Sequence, residues 1–212
     1  MGQGSYVIAE WDSVYKTDKN FQEAMADVER RAINKCNLDW APKTLNLANT
    51  FGGGEEEYGR TTILPGAFDD HNGIPMATFR QLFTGTGHMT LMNGVGAGNT
   101  IPEDIKLALI GFAFPNKNQH ITEIKMQIAD RKYGRFDLEE MRIMNKPAII
   151  FEEGLIINEE EAFDLYGYVE GPIPTHIGNF VGVYQRIVPI GALYYKYYNK
   201  VGGNVGTAIP TT

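Results

Sequence analysis

The sequence predicts a mainly β protein, an antiparallel β-sandwich with one N-terminal amphipathic helix and one short inserted helix. From residue 105 onward at least five apolar or alternating segments follow one another. No amphipathic helix of a dozen residues alternates with them, which disfavours parallel βαβ architectures. The chain also has 24 glycines among 212 residues, a composition suited to the many tight turns of a single large β domain.

An amphipathic helix is predicted near the N-terminus. Asn20 is its predicted cap and Glu23 the capping-box partner. One apolar stripe has helical spacing, formed by Phe21, Met25, Val28, Ala32 and Cys36. The opposite face carries Asp27, Arg30, Arg31 and Lys35. The stripe must therefore pack on the β body or on a neighbouring subunit, with Cys36 as a small buried hydrophobe.

The strands are predicted from period and composition. They cover residues 105–114, 120–129, 148–157, 162–170 and 180–198, the last bending or splitting near Pro189 and Gly191. In the second of them Thr122, Ile124, Met126 and Ile128 alternate with Glu123, Lys125 and Gln127. Asp137 and Glu140 form a second capping-box pattern, which predicts a short helix through about residue 144.

One domain with three parts is expected. Residues 1–104 would supply an N-terminal arm, the helix and glycine-rich loops that pack on the β body. Within them, 37–104 is expected to be largely irregular, with a helical turn in 76–83 and a strand in 88–92. Residues 105–200 would form the core strands of the sandwich, and 201–212 a flexible C-terminal tail.

Composition argues against several functional classes. The net charge of −7 disfavours a phosphate-binding surface, so no direct nucleic acid partner is expected. No apolar run approaches the ~20 residues of a transmembrane segment. Asn99 replaces the last glycine that a dinucleotide fingerprint would need after Gly94-x-Gly96-x-Gly98, and the four histidines lie singly. No cofactor, metal or catalytic residue is assigned, and the chain is not expected to be an enzyme.

Two acidic segments each allow a functional and a structural interpretation. The cluster Asp69-Asp70-His71-Asn72-Gly73 could hold a hard cation or form an ordinary Asx-rich turn, and the turn is favoured. Seven further acids are candidates for a two-carboxylate glycosidase, Glu152, Glu153, Glu159, Glu160, Glu161, Asp164 and Glu170. A solvated hairpin, with residues 159–161 as its turn, is preferred for them.

Tyrosines near the C-terminus are the most distinctive feature. Five of them are candidates for a subunit interface, Tyr184, Tyr194, Tyr195, Tyr197 and Tyr198. Strand alternation would place Tyr195 and Tyr197 on one face and Tyr194 and Tyr198 on the other. Core packing competes with the interface interpretation, and sugar or base stacking is a third alternative.

Residues 105–198 contain consecutive predicted strands such as IKLALIGFAF and ITEIKMQIAD, a short helix within RFDLEEMRIM, and then PAIIFEEGLII, AFDLYGYVEG and VYQRIVPIGALYYKYY. In this order of elements they resemble the single jelly-roll capsid proteins of tailless icosahedral viruses. It implies a jelly-roll-like sandwich that tiles a shell through lateral contacts, without cofactor or catalysis.

The expected function is therefore that of a viral structural protein, a capsid or shell-decorating subunit. It would assemble with itself, and with other shell proteins, into a virion after synthesis in the host cytoplasm. The alternatives are a carbohydrate- or ligand-binding β-sandwich module and, behind it, the two-carboxylate glycosidase.

Overall fold

The computed structural model describes residues 6–9, 19–40, 56–116, 118–143, 148–173 and 182–198. Within these ranges the elements are, in chain order, β1 (Tyr6–Ala9), α1 (Lys19–Trp40), β2 (Glu56–Thr62), a 3-10 turn (Pro65–Ala67), β3 (Phe68–Asp70), β4 (Arg80–Phe83), β5 (Gly87–Gly94), β6 (Ile105–Ala113), β7 (Ile121–Ile128), β8 (Arg131–Asp137), α2 (Glu139–Ile143), β9 (Ala148–Ile157), β10 (Phe163–Val169), β11 (Val183–Arg186) and β12 (Val188–Tyr198).

In the described part of the chain, two five-stranded antiparallel sheets form the sandwich. Sheet A has the order β1-β9-β6-β12-β2 and sheet B the order β3-β5-β10-β7-β8, while β4 and β11 form a separate two-stranded sheet. With β2, β5, β6, β7, β8, β9, β10 and β12 counted as strands one to eight, sheet A contains 1-8-3-6 and sheet B contains 2-7-4-5. This is the strand order of a jelly roll, two interlocked Greek keys in a double sheet. The predicted mainly β antiparallel sandwich with two helices is confirmed.

The core lies between the two sheets and consists of large apolar side chains. In sheet B, Ile124, Met126 and Ile128 point inward, as the alternation of this strand predicted. Aromatic rings join the layers, with Phe151 of sheet A 5.5 Å from Phe136 of sheet B between ring centroids. Burial of this many apolar side chains, at about 1.5–3 kcal/mol for each large one, is the main source of stability.

Helix α1 covers the outer side of sheet A and makes a second core there. Its predicted stripe is buried, except that Met25 is partly exposed, and Trp40 extends it by one turn. The stripe packs on small and branched residues of the sheet, among them Ala108, Ile110 and Ala192. Strand β6 is thus covered on both faces, which explains why its sequence is continuously apolar. Among the described residues, no helix is long and apolar enough to cross a membrane.

The first half of the chain is more regular than the sequence predicts. The helix already includes Asn20, so this residue is not its N-cap. Residues 56–94 contribute β2 to sheet A and β3 and β5 to sheet B, so the sandwich begins well before residue 105. The predicted strand in 88–92 is confirmed within β5, whereas residues 80–83 form a strand and not a helical turn. These strands are short and rich in glycine and polar residues, so their sequences show no clear alternation of apolar and polar residues.

Later elements follow the predictions more closely. The short helix α2 is present, and the Asp137 carboxylate accepts a hydrogen bond of 2.8 Å from the Glu139 amide at its start. The long C-terminal segment divides into β11 and β12, with a register shift at Gly191, whose φ of +152° favours glycine. The predicted tail at 201–212 lies outside the described residues.

Candidate functional site

The outer side of sheet B is a polar surface, hereafter the open face. Phe163 and Leu165 of β10 point into the core, so Asp164, Tyr166 and Tyr168 alternate to the opposite side. The register places Thr90 and Lys125 on either side of Tyr166, and His88 and Glu123 on either side of Tyr168. The open face therefore combines two tyrosines with charged and hydrogen-bonding side chains.

Tyr168 is the exposed aromatic ring of the open face. It is 37% exposed and meets His88 edge to face, with 4.9 Å between ring centroids. Burial, and then the charge of Asp164, raise the pKa of the neighbouring Tyr166, so its hydroxyl remains protonated. This arrangement can stack on a flat apolar ligand surface and hydrogen-bond to hydroxyl groups.

An amide and carboxylate network closes one end of the open face. Asn99 donates a hydrogen bond of 2.7 Å to Asp164 and accepts one of 2.9 Å from Asn93. Asn93 and Asp164 are buried, and Asn99 reaches them from the loop after β5, where its φ is +63°. The loop that begins Gly94-x-Gly96-x-Gly98 thus positions an asparagine side chain over the sheet.

A pocket lies at the end of the sandwich where three loops meet. This pocket of about 450 Å³ is lined by Asn118, Gln119, His120, Glu139, Glu170, Gly171 and Pro172. The Nδ1 atom of His120 lies 3.1 Å from the carbonyl oxygen of Glu170. The lining includes two carboxylates, those of Glu139 and Glu170, which suit a cationic or hydrogen-bonding group. Within the described residues no group of three or more histidine, cysteine or acidic side chains could hold a metal ion.

A charged cluster lies beneath the C-terminal end of α1. The Lys106 side chain is 1% exposed, and its Nζ atom lies 3.0 Å from Asp39 Oδ2 and 3.1 Å from Glu159 Oε1. The Trp40 indole donates to the Glu159 carboxylate at 3.0 Å. Sequence analysis missed this cluster, although a lone lysine in an otherwise apolar strand covered on both sides requires a buried partner.

The five candidate interface tyrosines are divided by the fold. Tyr184 is exposed, and the Arg80 guanidinium lies 3.7 Å from its ring centroid. Tyr194 is 1% exposed beneath α1, and the half-buried Tyr195 packs against the main core. Tyr194 and Tyr195 thus occupy opposite faces, as alternation predicted. The side chains of Tyr197 and Tyr198 lie outside the described residues.

The acidic candidates are also separated. Glu153 belongs to sheet A and Asp164 to the outer side of sheet B, where Asn99 holds it. Residues 159–161 form a turn, but it links the two sheets and is not a hairpin, and Glu159 binds Lys106. Glu152 and Glu153 are exposed on β9, Glu160 is exposed in the turn, and Glu170 lines the loop pocket.

The Asp69–Gly73 segment forms the favoured Asx turn. Asp70 Oδ1 accepts hydrogen bonds from the amides of Asn72 and Ile74 at 2.8 and 3.0 Å. His71 stacks on Phe83 instead of projecting toward the acids, with 4.7 Å between centroids. Among the described residues, none donates a hydrogen bond to the buried Oδ1 atom of Asp69. The His71 ring thus packs on Phe83, and its Nδ1 atom lies 3.3 Å from Gln81 Oε1.

Comparisons with known proteins identify no relative. No family model matches the chain, and no curated protein or solved structure matches it.

Proposed function

We propose that this chain is a viral structural protein, a capsid or shell-decorating subunit that assembles with itself through lateral contacts of its sandwich. The observation that carries the proposal is the jelly-roll strand order around an interior occupied by apolar side chains. Viral capsid and lectin domains share this architecture. Because apolar side chains fill the interior, binding must take place on the outer surfaces, and these are the surfaces through which shell subunits contact each other.

The Arg80–Tyr184 pair is a suitable lateral contact. It lies on the small β4–β11 sheet, outside the two main sheets, and both side chains are exposed. Arginine and tyrosine are enriched among the residues that contribute most to protein interfaces. The stacked geometry holds both side chains in place before association, which reduces the entropy lost on binding.

Negative-stain imaging of the purified chain tests this proposal. Rings, sheets or closed shells are expected for the wild type. Tyr184→Ala should reduce their abundance, while Tyr168→Ala, which removes an exposed tyrosine on the open face, should leave them intact. Micrographs without assemblies under all conditions, including the addition of a preformed shell that the chain could bind, would contradict the proposal.

A carbohydrate- or ligand-binding module is the second candidate, favoured by the open face. Tyr168 and His88 present an exposed aromatic edge beside the hydrogen-bonding groups of Thr90 and Glu123. Aromatic rings with a few fixed polar groups are common features of ligand sites. A glycan array tests it: binding that Tyr168→Ala abolishes and Tyr184→Ala preserves would favour this candidate, and an array without binding would exclude it for those glycans.

A further inference from the structure

The buried Lys106 amine contacts two carboxyl groups, those of Asp39 and Glu159. Lys106 comes from the middle strand of sheet A, Asp39 from the last turn of α1, and Glu159 from the turn after β9. The lysine nitrogen lies 3.0 Å from Oδ2 of Asp39, so it is in direct contact with the carboxyl group whose carbon would react.

Glu159 is fixed by three donors. The Trp40 indole reaches both of its oxygens at 3.0 Å, the Asp104 amide reaches Oε2 at 3.1 Å, and Lys106 reaches Oε1 at 3.1 Å. Trp40 also lies beneath the lysine, with 4.8 Å from Nζ to the ring. The indole therefore shields one side of the amine and orients the carboxylate that contacts it.

We propose that Lys106 and Asp39 condense to an isopeptide bond, with Glu159 as the group that transfers the proton. The Lys106 nitrogen forms a bond to Cγ of Asp39, and the bond from that carbon to one carboxyl oxygen breaks. Glu159 carries two protons in turn from the lysine nitrogen to the departing oxygen, the first from the ammonium and the second after the new bond forms, so this oxygen leaves as water. One ammonium and one carboxylate give one amide and one water, so atoms and charge balance and no oxidant is required.

The surroundings favour this step. Well-oriented intramolecular reactions reach effective molarities of about 10⁵–10⁸ M, so holding the two groups in contact lowers the barrier to their condensation. Asp39 is 39% exposed in its side chain, so the water formed can leave toward solvent. Burial raises the pKa of the neighbouring Cys36 to about 11, so its neutral thiol does not compete as a nucleophile. The bond would tie the end of α1 to strand β6.

Mass spectrometry of the full-length chain, purified folded and then denatured, tests the proposal. The expected mass is lower than the sequence mass by one water molecule, and proteolysis should yield one peptide pair joined through residues 39 and 106. An unmodified mass, with the two peptides recovered separately, would overturn the proposal and leave an ion pair.

Three variants distinguish the isopeptide bond from other reactions that lower the mass by one water molecule. Lys106→Arg retains the cation but cannot condense, so its mass should be unmodified; a persistent deficit would identify a cyclised aspartate instead. Glu159→Gln should also be unmodified while its circular dichroism remains native. Glu160→Gln, an exposed neighbour of the same chemistry, should cross-link like the wild type. Full cross-linking in Glu159→Gln would overturn the role given to Glu159.

Discussion

Val28 of α1 packs directly over Gly154 of β9, so closely that a Cβ added at residue 154 would stand 2.6 Å from the Val28 Cβ atom. Arg31, one turn further along the helix, donates a hydrogen bond of 2.7 Å to the Gly154 carbonyl. The absence of a side chain at one strand position therefore determines how closely the helix approaches sheet A.

Gly154→Ala should destabilise the fold, because the helix must move outward or the strand must shift. Overpacking of this kind costs about 1–3 kcal/mol in the free energy of unfolding, measurable by urea denaturation. Gly134→Ala is the matched control, since a Cβ on that strand glycine would meet no atom within 4 Å. Equal effects of the two substitutions would show that the helix does not dock on Gly154.

Asn99→Gly should destabilise the sandwich although glycine tolerates the positive φ at this position. The substitution removes the side-chain amide that hydrogen-bonds to the buried Asp164 and Asn93, and the loss of such a buried partner costs about 1–3 kcal/mol. Glu160→Gly is the control, because Glu160 is an exposed residue with a similar φ of +56°. Thermal unfolding of both variants checks this, and an unchanged midpoint for Asn99→Gly would contradict the network.

Cys36 should resist thiol reagents in the native protein. Burial is the main cause of its raised pKa of about 11, so the reactive thiolate is scarce near neutral pH. Labelling should become rapid only after unfolding in urea. The control places a cysteine on the same helix by Leu38→Cys in a Cys36→Ala background, since Leu38 is 76% exposed and should label at once. Rapid native labelling of Cys36 would mean that α1 leaves the sheet readily.

Asp69 should make stability fall as pH rises. Burial, and then the charge of Asp70, raise its pKa above 3.8, so the folded state holds this proton more tightly than the unfolded state. The resulting stabilisation is fully present below pH 3.8 and is lost as the pH rises through the pKa of Asp69 in the folded state. Asp69→Asn should therefore gain stability relative to wild type between acidic and neutral pH in thermal unfolding. The exposed control Asp130→Asn should show a smaller trend, and the same trend in both would contradict the assignment to Asp69.

The sequence predicts those parts of the fold where a local period is strong. The stripe on α1, the alternation in β7 and the doubly covered β6 each follow from residues a few positions apart, so their positions in the chain and their buried faces could be predicted. Strands β2, β3 and β4 could not, because glycines and polar residues interrupt their short segments and because they are stabilised by pairing with other strands, β2 with β12, β3 with β5 and β4 with β11.

The candidate sites depend on residues far apart in the chain, which explains why sequence analysis identified few of them. Tyr184 was named, but its partner Arg80 lies in a segment expected to be irregular. Lys106 meets Asp39 and Glu159 only when helix, strand and turn converge. Tyr194 was assigned to a candidate interface without any signal that α1 would cover it. Local patterns predict burial well, whereas contacts between elements depend on topology.

Light scattering coupled to size-exclusion chromatography, over a wide range of protein concentration, tests the central proposal of a self-assembling subunit most directly. The proposal predicts species far heavier than the 23.6 kDa chain, with a fraction that rises with concentration and falls in Tyr184→Ala. A single peak at 23.6 kDa at every concentration, unchanged when a shell protein is added, would contradict it.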